Sequence, residues 1–171
     1  MNKGKLAALT MCIAAAAYGL VNAYHVEPIK AAWSGWTLGE DGYVSQQVTC
    51  CWDSLAYVEL FAGDSGSTGG DYRVGVLDDG AEVAYAGGVQ RQATSWVMFD
   101  EWTFTGTFTK GKQYEFRFTR SGTDSINYYY QNDEAYGYGD IKVGNDIIIG
   151  RDLCMRAYGV MDPEFRGHLT K

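Results

Sequence analysis

Histidine is almost missing from this chain. Only His25 and His168 occur in 171 residues, one near each end and neither inside a predicted strand. A Ser-His-Asp or Cys-His nucleophile needs a histidine held by a rigid scaffold, so both systems are excluded. A zinc site of the usual kind needs several His or Cys ligands at close spacing, and none are so placed. Phosphate cradles are missing too, since neither G-x-x-x-x-G-K-[ST] nor a strand-linked G-x-G-x-x-G is present. Positive charge is in deficit, with 14 Lys and Arg against 21 Asp and Glu for a net charge of -7. That balance opposes nucleic-acid binding, which neutralises phosphates with Lys and Arg. Beyond the first residues no apolar run is long enough to cross a bilayer, so the rest is expected to have no membrane partner.

The start of the chain has the pattern of an export signal. Lys3 and Lys5 precede an apolar stretch from Leu6 to Val21, and Val21-Asn22-Ala23 supplies small residues before a cut. Residues 1–23 are therefore expected to form a cleavable signal peptide, 24–160 a single β-rich domain, and 161–171 a C-terminal extension. The alternative for the first segment is an uncleaved membrane anchor. Cleavage after Ala23 removes two lysines and takes the net charge from -7 to -9. The expected location is secreted or at the cell surface.

Three cysteines follow the expected cut: Cys50, Cys51 and Cys154. Outside the cytoplasm a disulfide persists, and an odd count leaves one thiol over. Cys50–Cys154, Cys51–Cys154 and a vicinal Cys50–Cys51 bridge are all open, as is the fully reduced state. The favoured expectation is one long-range bridge between the first and last strands. It would close a loop of about 100 residues and stabilise by roughly 4–5 kcal/mol.

What the chain has in abundance is glycine (22) and tyrosine (13), with only two prolines. Gly-rich turns between aromatic and β-branched runs mark an all-β domain. Trp102, Phe104 and Phe108 alternate with polar residues, as do Tyr114, Phe116 and Phe118 after Lys110-Gly111-Lys112. This predicts a hairpin with one buried face, and Trp96, Trp102 and Phe104 are assigned to the core. Further strands are expected over Tyr43–Val48, Leu55–Phe61, Tyr72–Leu77, Ala81–Ala86, Trp96–Phe99, Ser125–Tyr130 and Leu153–Val160. Asp78-Asp79-Gly80 reads as a tight hairpin turn. About nine short strands in one domain predict a two-sheet antiparallel β-sandwich of jelly-roll type.

Candidate sites are few. Trp33 and Trp36 lie in the Gly-rich approach to the first strand. Within Tyr128-Tyr129-Tyr130, alternation puts Tyr129 on the face opposite the other two. Trp33, Trp36, Tyr128 and Tyr129 are the candidate ligand-binding residues, because Tyr and Trp stack on sugar rings through an apolar face while keeping a polar handle. The loop from Asp64 to Asp71 is a candidate calcium site, with carboxylate and carbonyl oxygens as donors. Glu59 and Glu115 are the candidate pair for glycoside hydrolysis, which needs two carboxylates roughly 5 to 9 Å apart.

The order Leu55-Ala-Tyr-Val-Glu-Leu, Tyr72-Arg-Val-Gly-Val, Gly111-Lys112-Gln-Tyr114-Glu-Phe and Asp152-Leu-Cys-Met-Arg-Ala-Tyr-Gly159 resembles uncharacterised secreted jelly-roll domains of prokaryotic surface proteins. Those domains are broadly similar to carbohydrate-binding modules. The resemblance spans about residues 43 to 160 and rests on strand pattern and turn chemistry. It implies a non-catalytic extracellular recognition module whose partner is a polysaccharide or another surface component. The alternatives are a self-assembling structural subunit of a surface layer or filament, and a carboxylate-pair glycosidase.

Overall fold

The computed structural model describes residues 20–25, 33–38, 42–64, 71–89, 94–121, 126–131 and 140–160, with 20–25 and 33–38 described for their backbone only. In chain order the strands are β1 (Leu20–His25), β2 (Trp33–Leu38), β3 (Tyr43–Thr49), β4 (Ser54–Asp64), β5 (Asp71–Asp78), β6 (Ala81–Val89) and β7 (Thr94–Phe99). They continue as β8 (Trp102–Phe104), β9 (Gln113–Ser121), β10 (Ile126–Gln131), β11 (Ile141–Val143), β12 (Asp146–Ile148), β13 (Asp152–Leu153) and β14 (Met155–Val160). The described residues contain no helix.

Two antiparallel sheets form the sandwich expected from the sequence. Sheet A runs β1-β14-β4-β10-β13, with β2 added to β10 and β7 added to β4. Sheet B runs β12-β11-β3-β9-β5-β6-β8. Period-two alternation sets which residues face inward. On β9, Tyr114, Phe116 and Phe118 are buried between polar neighbours, and on β4 Val58, Leu60 and Ala62 are. Phe99 of sheet A meets Phe118 of sheet B with ring centroids 5.7 Å apart, and Trp52 packs edge-on against Phe116 at 6.1 Å. Fully burying one such side chain is worth about 1.5–3 kcal/mol, so this shared layer dominates the stability. A polar tie crosses it: the Leu153 N–H donates to Gln46 Oε1 at 3.0 Å, both groups buried.

The Asp79-Gly80 turn is as predicted. Both residues have positive φ, 49° and 87°, the combination a tight antiparallel hairpin requires. Gly159 is required for a different reason. Trp52 packs directly on it, and a Cβ there would overlap the Trp52 Cβ and indole.

Four expectations need correction. The hairpin joining 102–109 to 113–120 does not form, because β3 and β5 already occupy both edges of β9. Trp102–Phe104 instead pairs with Ala84–Ala86 of β6. The chain then bends as Thr105 N–H and Gly106 N–H both donate to the Val83 carbonyl. Phe104 is consequently 44% exposed at the end of sheet B, and Trp102 is only half-buried. Trp96 also leaves the core, since Val97 and Phe99 take the inward phase of β7. Tyr128 is the converse case: proposed as a binding residue, it is buried at 1% exposure, and desolvation pushes its phenol far above the ordinary value.

The fourth correction concerns the cysteines. Cys50, Cys51 and Cys154 are all thiols, with no disulfide among the described residues. Cys50 and Cys51 precede the Ser54 end of β4, whereas the Cys154 carbonyl accepts from Phe61 N–H near the other end. Seven residues of strand separate those ends, about 23 Å, far beyond the reach of a disulfide. The Cys50 thiol instead donates to the Trp52 carbonyl at 3.2 Å.

Near the N-terminus, Leu20, Val21 and Asn22 oppose Val160, Gly159 and Tyr158, and the register shifts before Tyr24 pairs with Ala157. Sheet A therefore includes residues on both sides of the expected cut after Ala23. Residues 1–19 and 161–171 lie outside the described residues, and β11 and β12 were not foreseen.

Candidate functional site

Among the described residues, the outer face of sheet A carries a continuous group of aromatic side chains. Because Val58, Leu60, Ala157 and Val97 turn inward, their neighbours Tyr57, Glu59, Phe61, Arg156, Tyr158 and Trp96 turn outward. Strand register then places them in opposed pairs: Tyr57 with Tyr158, Glu59 with Arg156, and Phe61 with Trp96. Opposed side chains on a sheet face are in contact range, and each pair makes the contact its chemistry allows. Tyr57 and Tyr158 stack at 4.6 Å and 25°. Arg156 Nη1 donates to Glu59 Oε2 at 3.0 Å. Phe61 meets Trp96 edge-to-face at 5.3 Å and Tyr129 at 5.4 Å.

Arg156 joins the two aromatic groups. Its guanidinium carbon lies 4.0 Å from the Trp96 ring centroid while its nitrogen holds Glu59. The result is one half-exposed belt from Tyr158 to Tyr129, with a single ion pair at its middle. Burial first, and then the Glu59 carboxylate, raise the Tyr57 phenol above its ordinary value. It stays a neutral hydroxyl at physiological pH.

A groove of about 880 Å³ opens beside this belt, along β7. Glu59, Trp96 and Met98 line it from sheet A, Gly87 and Gly88 from β6, and Asp100 and Glu101 from the β7–β8 link. Gly87 is exposed with open space where a side chain would stand, whereas a Cβ at Gly88 would meet the core residues Phe99 and Val97. Its polar lining consists mainly of carboxylates, which accept hydrogen bonds from hydroxyl groups, beside an indole that offers an apolar flat surface.

Of the residues proposed from the sequence, Tyr129 belongs to the belt. Trp33 opposes Gln131 and Trp36 opposes Tyr128 in backbone register, so the Gly-rich approach is itself a strand beside β10. Their side chains lie outside the described residues. Asp64 ends β4 and Asp71 begins β5, but residues 65–70 between them lie outside the described residues. No group of three or more His, Cys, Asp or Glu able to hold a metal occurs among the described residues.

Glu59 and Glu115 are not brought together. Each alternates with core residues of a different sheet and so points out of the opposite side of the sandwich. Burial alone would raise the Glu115 carboxyl, but hydrogen bonds from Lys142 and Arg117 outweigh it and hold it below the ordinary range. Trp96, Arg156, Tyr57 and Tyr158 were missed as surface residues. The signal was present in the alternation, which puts Tyr57, Glu59 and Phe61 on one face, but matching them to Arg156 and Trp96 needs the strand order. The chain matches no protein-family model and no curated protein.

Proposed function

We propose that the protein is a non-catalytic, exported recognition module that binds a glycan across the outer face of sheet A. The observation that carries this reading is the aromatic belt beside the carboxylate-lined groove. A sugar ring has apolar C–H faces and a rim of hydroxyls. Trp96, Phe61 and Tyr129 match the first, and Glu59, Asp100 and Glu101 match the second. The separation of Glu59 from Glu115, and the ion pair that occupies Glu59, support binding over hydrolysis. The export-signal pattern supports action outside the cell.

Titration calorimetry across a panel of soluble polysaccharides tests the reading. One class of glycan is expected to bind, and Trp96→Ala is expected to weaken it by about 1–3 kcal/mol, a factor of roughly 5 to 150. Tyr85→Ala, on the outer face of sheet B, is expected to leave it unchanged. Equal losses from both variants, or binding to no glycan, would remove the proposal.

A further inference from the structure

Most exposed carboxylates of the described residues have a cation beside them. Asp53, Asp78, Asp79, Glu82 and Glu115 each meet a lysine or arginine. Asp100 and Glu101 differ: they are consecutive and exposed on the groove wall, and among the described residues neither forms an ion pair or a side-chain hydrogen bond. Asp140 and Asp146 are unpaired as well, but neither lines the groove. An exposed carboxylate is ordinary in itself, since water satisfies it.

The surroundings of Asp100 and Glu101 give them meaning. No lysine, arginine or histidine is among the described residues that line the groove. Its wall therefore joins hydrogen-bond acceptors to the apolar surfaces of Trp96 and Met98, without the cationic donors that usually balance carboxylates. A sugar hydroxyl both donates and accepts, so it uses only part of its capacity against such a wall. An ammonium group donates three hydrogen bonds and accepts none. Its bonds to carboxylates are charge-assisted and stronger than those of a hydroxyl.

The same wall already holds one cation. Arg156 donates to Glu59 Oε2 at 3.0 Å, with its guanidinium carbon 4.0 Å from the Trp96 ring centroid. Glu59 and Trp96 both line the groove, so carboxylate and indole together hold a positive group here. That cation comes from the chain itself. For Asp100 and Glu101 the chain provides none, and the groove of about 880 Å³ has the size of sites that enclose a bound ligand.

We propose that the glycan taken by this groove carries protonated amines. Asp100 and Glu101 accept from the ammonium groups, and Trp96 packs against a sugar ring. This ligand class deepens the glycan reading above and rests on it. Glycans bearing carboxylate or sulfate groups are disfavoured by the same wall, because like charge meets like charge.

Titration calorimetry of the full chain with three β-1,4-linked oligomers of equal length tests this: glucosamine, N-acetylglucosamine and glucose. They differ only in the group at carbon 2, which at mildly acidic pH is charged in the first and neutral in the others. The glucosamine oligomer is expected to bind at least about tenfold more tightly than either neutral one, with the difference shrinking as salt is raised. Asp100→Asn combined with Glu101→Gln is expected to remove that preference. Asp79→Asn combined with Asp146→Asn changes the net charge equally at residues that do not line the groove, and is expected to alter binding by less than about twofold. Near-UV circular dichroism checks that both double variants keep their packing. Equal losses from the two would mean a general attraction of a polycation to an acidic protein, and would overturn the proposal. A neutral oligomer bound as tightly as the charged one would do the same. If a neutral or anionic glycan of the wider panel binds and the glucosamine oligomer does not, the amine inference falls and the glycan reading stands. If no glycan binds at all, the glycan reading falls and the amine inference with it.

Discussion

The outer faces of the two sheets solve the same problem in different ways. Each must present side chains to water from strands rich in aromatic residues. On sheet B, Arg117 lies over Tyr43 at 4.5 Å and Arg73 over Tyr85 at 4.7 Å. Arg73 also binds Glu82 at 2.7 Å, and Glu115 takes both Arg117 and Lys142 at 2.8 Å. Rings there are screened by guanidinium groups, and carboxylates are neutralised in place. On sheet A the rings pack mainly against one another, and Glu59–Arg156 supplies the ion pair. A charged lattice is already satisfied, whereas packed rings beside a groove still have apolar surface to offer. Aromatic content alone does not separate the two faces; what covers the rings does.

The comparison is broken most severely from beneath. Gly159→Ala pushes a methyl group into Trp52 and forces β14 away from the core, taking Arg156 and Tyr158 with it. A loss of about 3 kcal/mol is expected in denaturant unfolding, the upper end of overpacking costs. Unchanged stability would show that Trp52 can move aside, and that the sheet A face does not depend on this contact.

A smaller effect sharpens the description of sheet B. The Glu115 carboxyl is held below its ordinary value of 4.5, so its stabilising contribution is fully present above that pH. The contribution is lost as pH falls through the lowered folded-state value. Glu115→Gln should cost about 1 kcal/mol at neutral pH, with the gap from wild type closing in acid. Unfolding curves measured from neutral pH downward check this. A gap independent of pH would mean that the glutamate acts through packing, and the contrast between a charged and an aromatic face would weaken.

Much of the fold was legible because alternation is a local property. Val44 and Val48, Val58 and Leu60, and Tyr114, Phe116 and Phe118 announce their inward face within a few residues. The failed hairpin shows the limit. Trp102 to Phe118 has the right alternation on both sides of a glycine turn, yet β9 takes β3 and β5 as partners, 76 residues away at Tyr43↔Thr119 and 38 residues away at Leu77↔Glu115. Pairing is decided by competition over the whole chain, which a local pattern does not contain. The candidate site suffered more, because Glu59 meets Arg156 across 97 residues. Tyr129 was recoverable from the phase of its own strand; Trp96 was lost by choosing the wrong phase for β7.

The bond from Leu153 to Gln46 gives the sandwich a mechanical character that its apolar layer cannot. Hydrophobic contact has no direction, so in the apolar layer shape fit alone fixes the offset of the two sheets. A buried N–H and its acceptor tolerate no slip without both losing their partner. The tie joins residues 107 apart in the sequence and fixes β13 of sheet A against β3 of sheet B. It therefore works as a latch, resisting shear between the two layers.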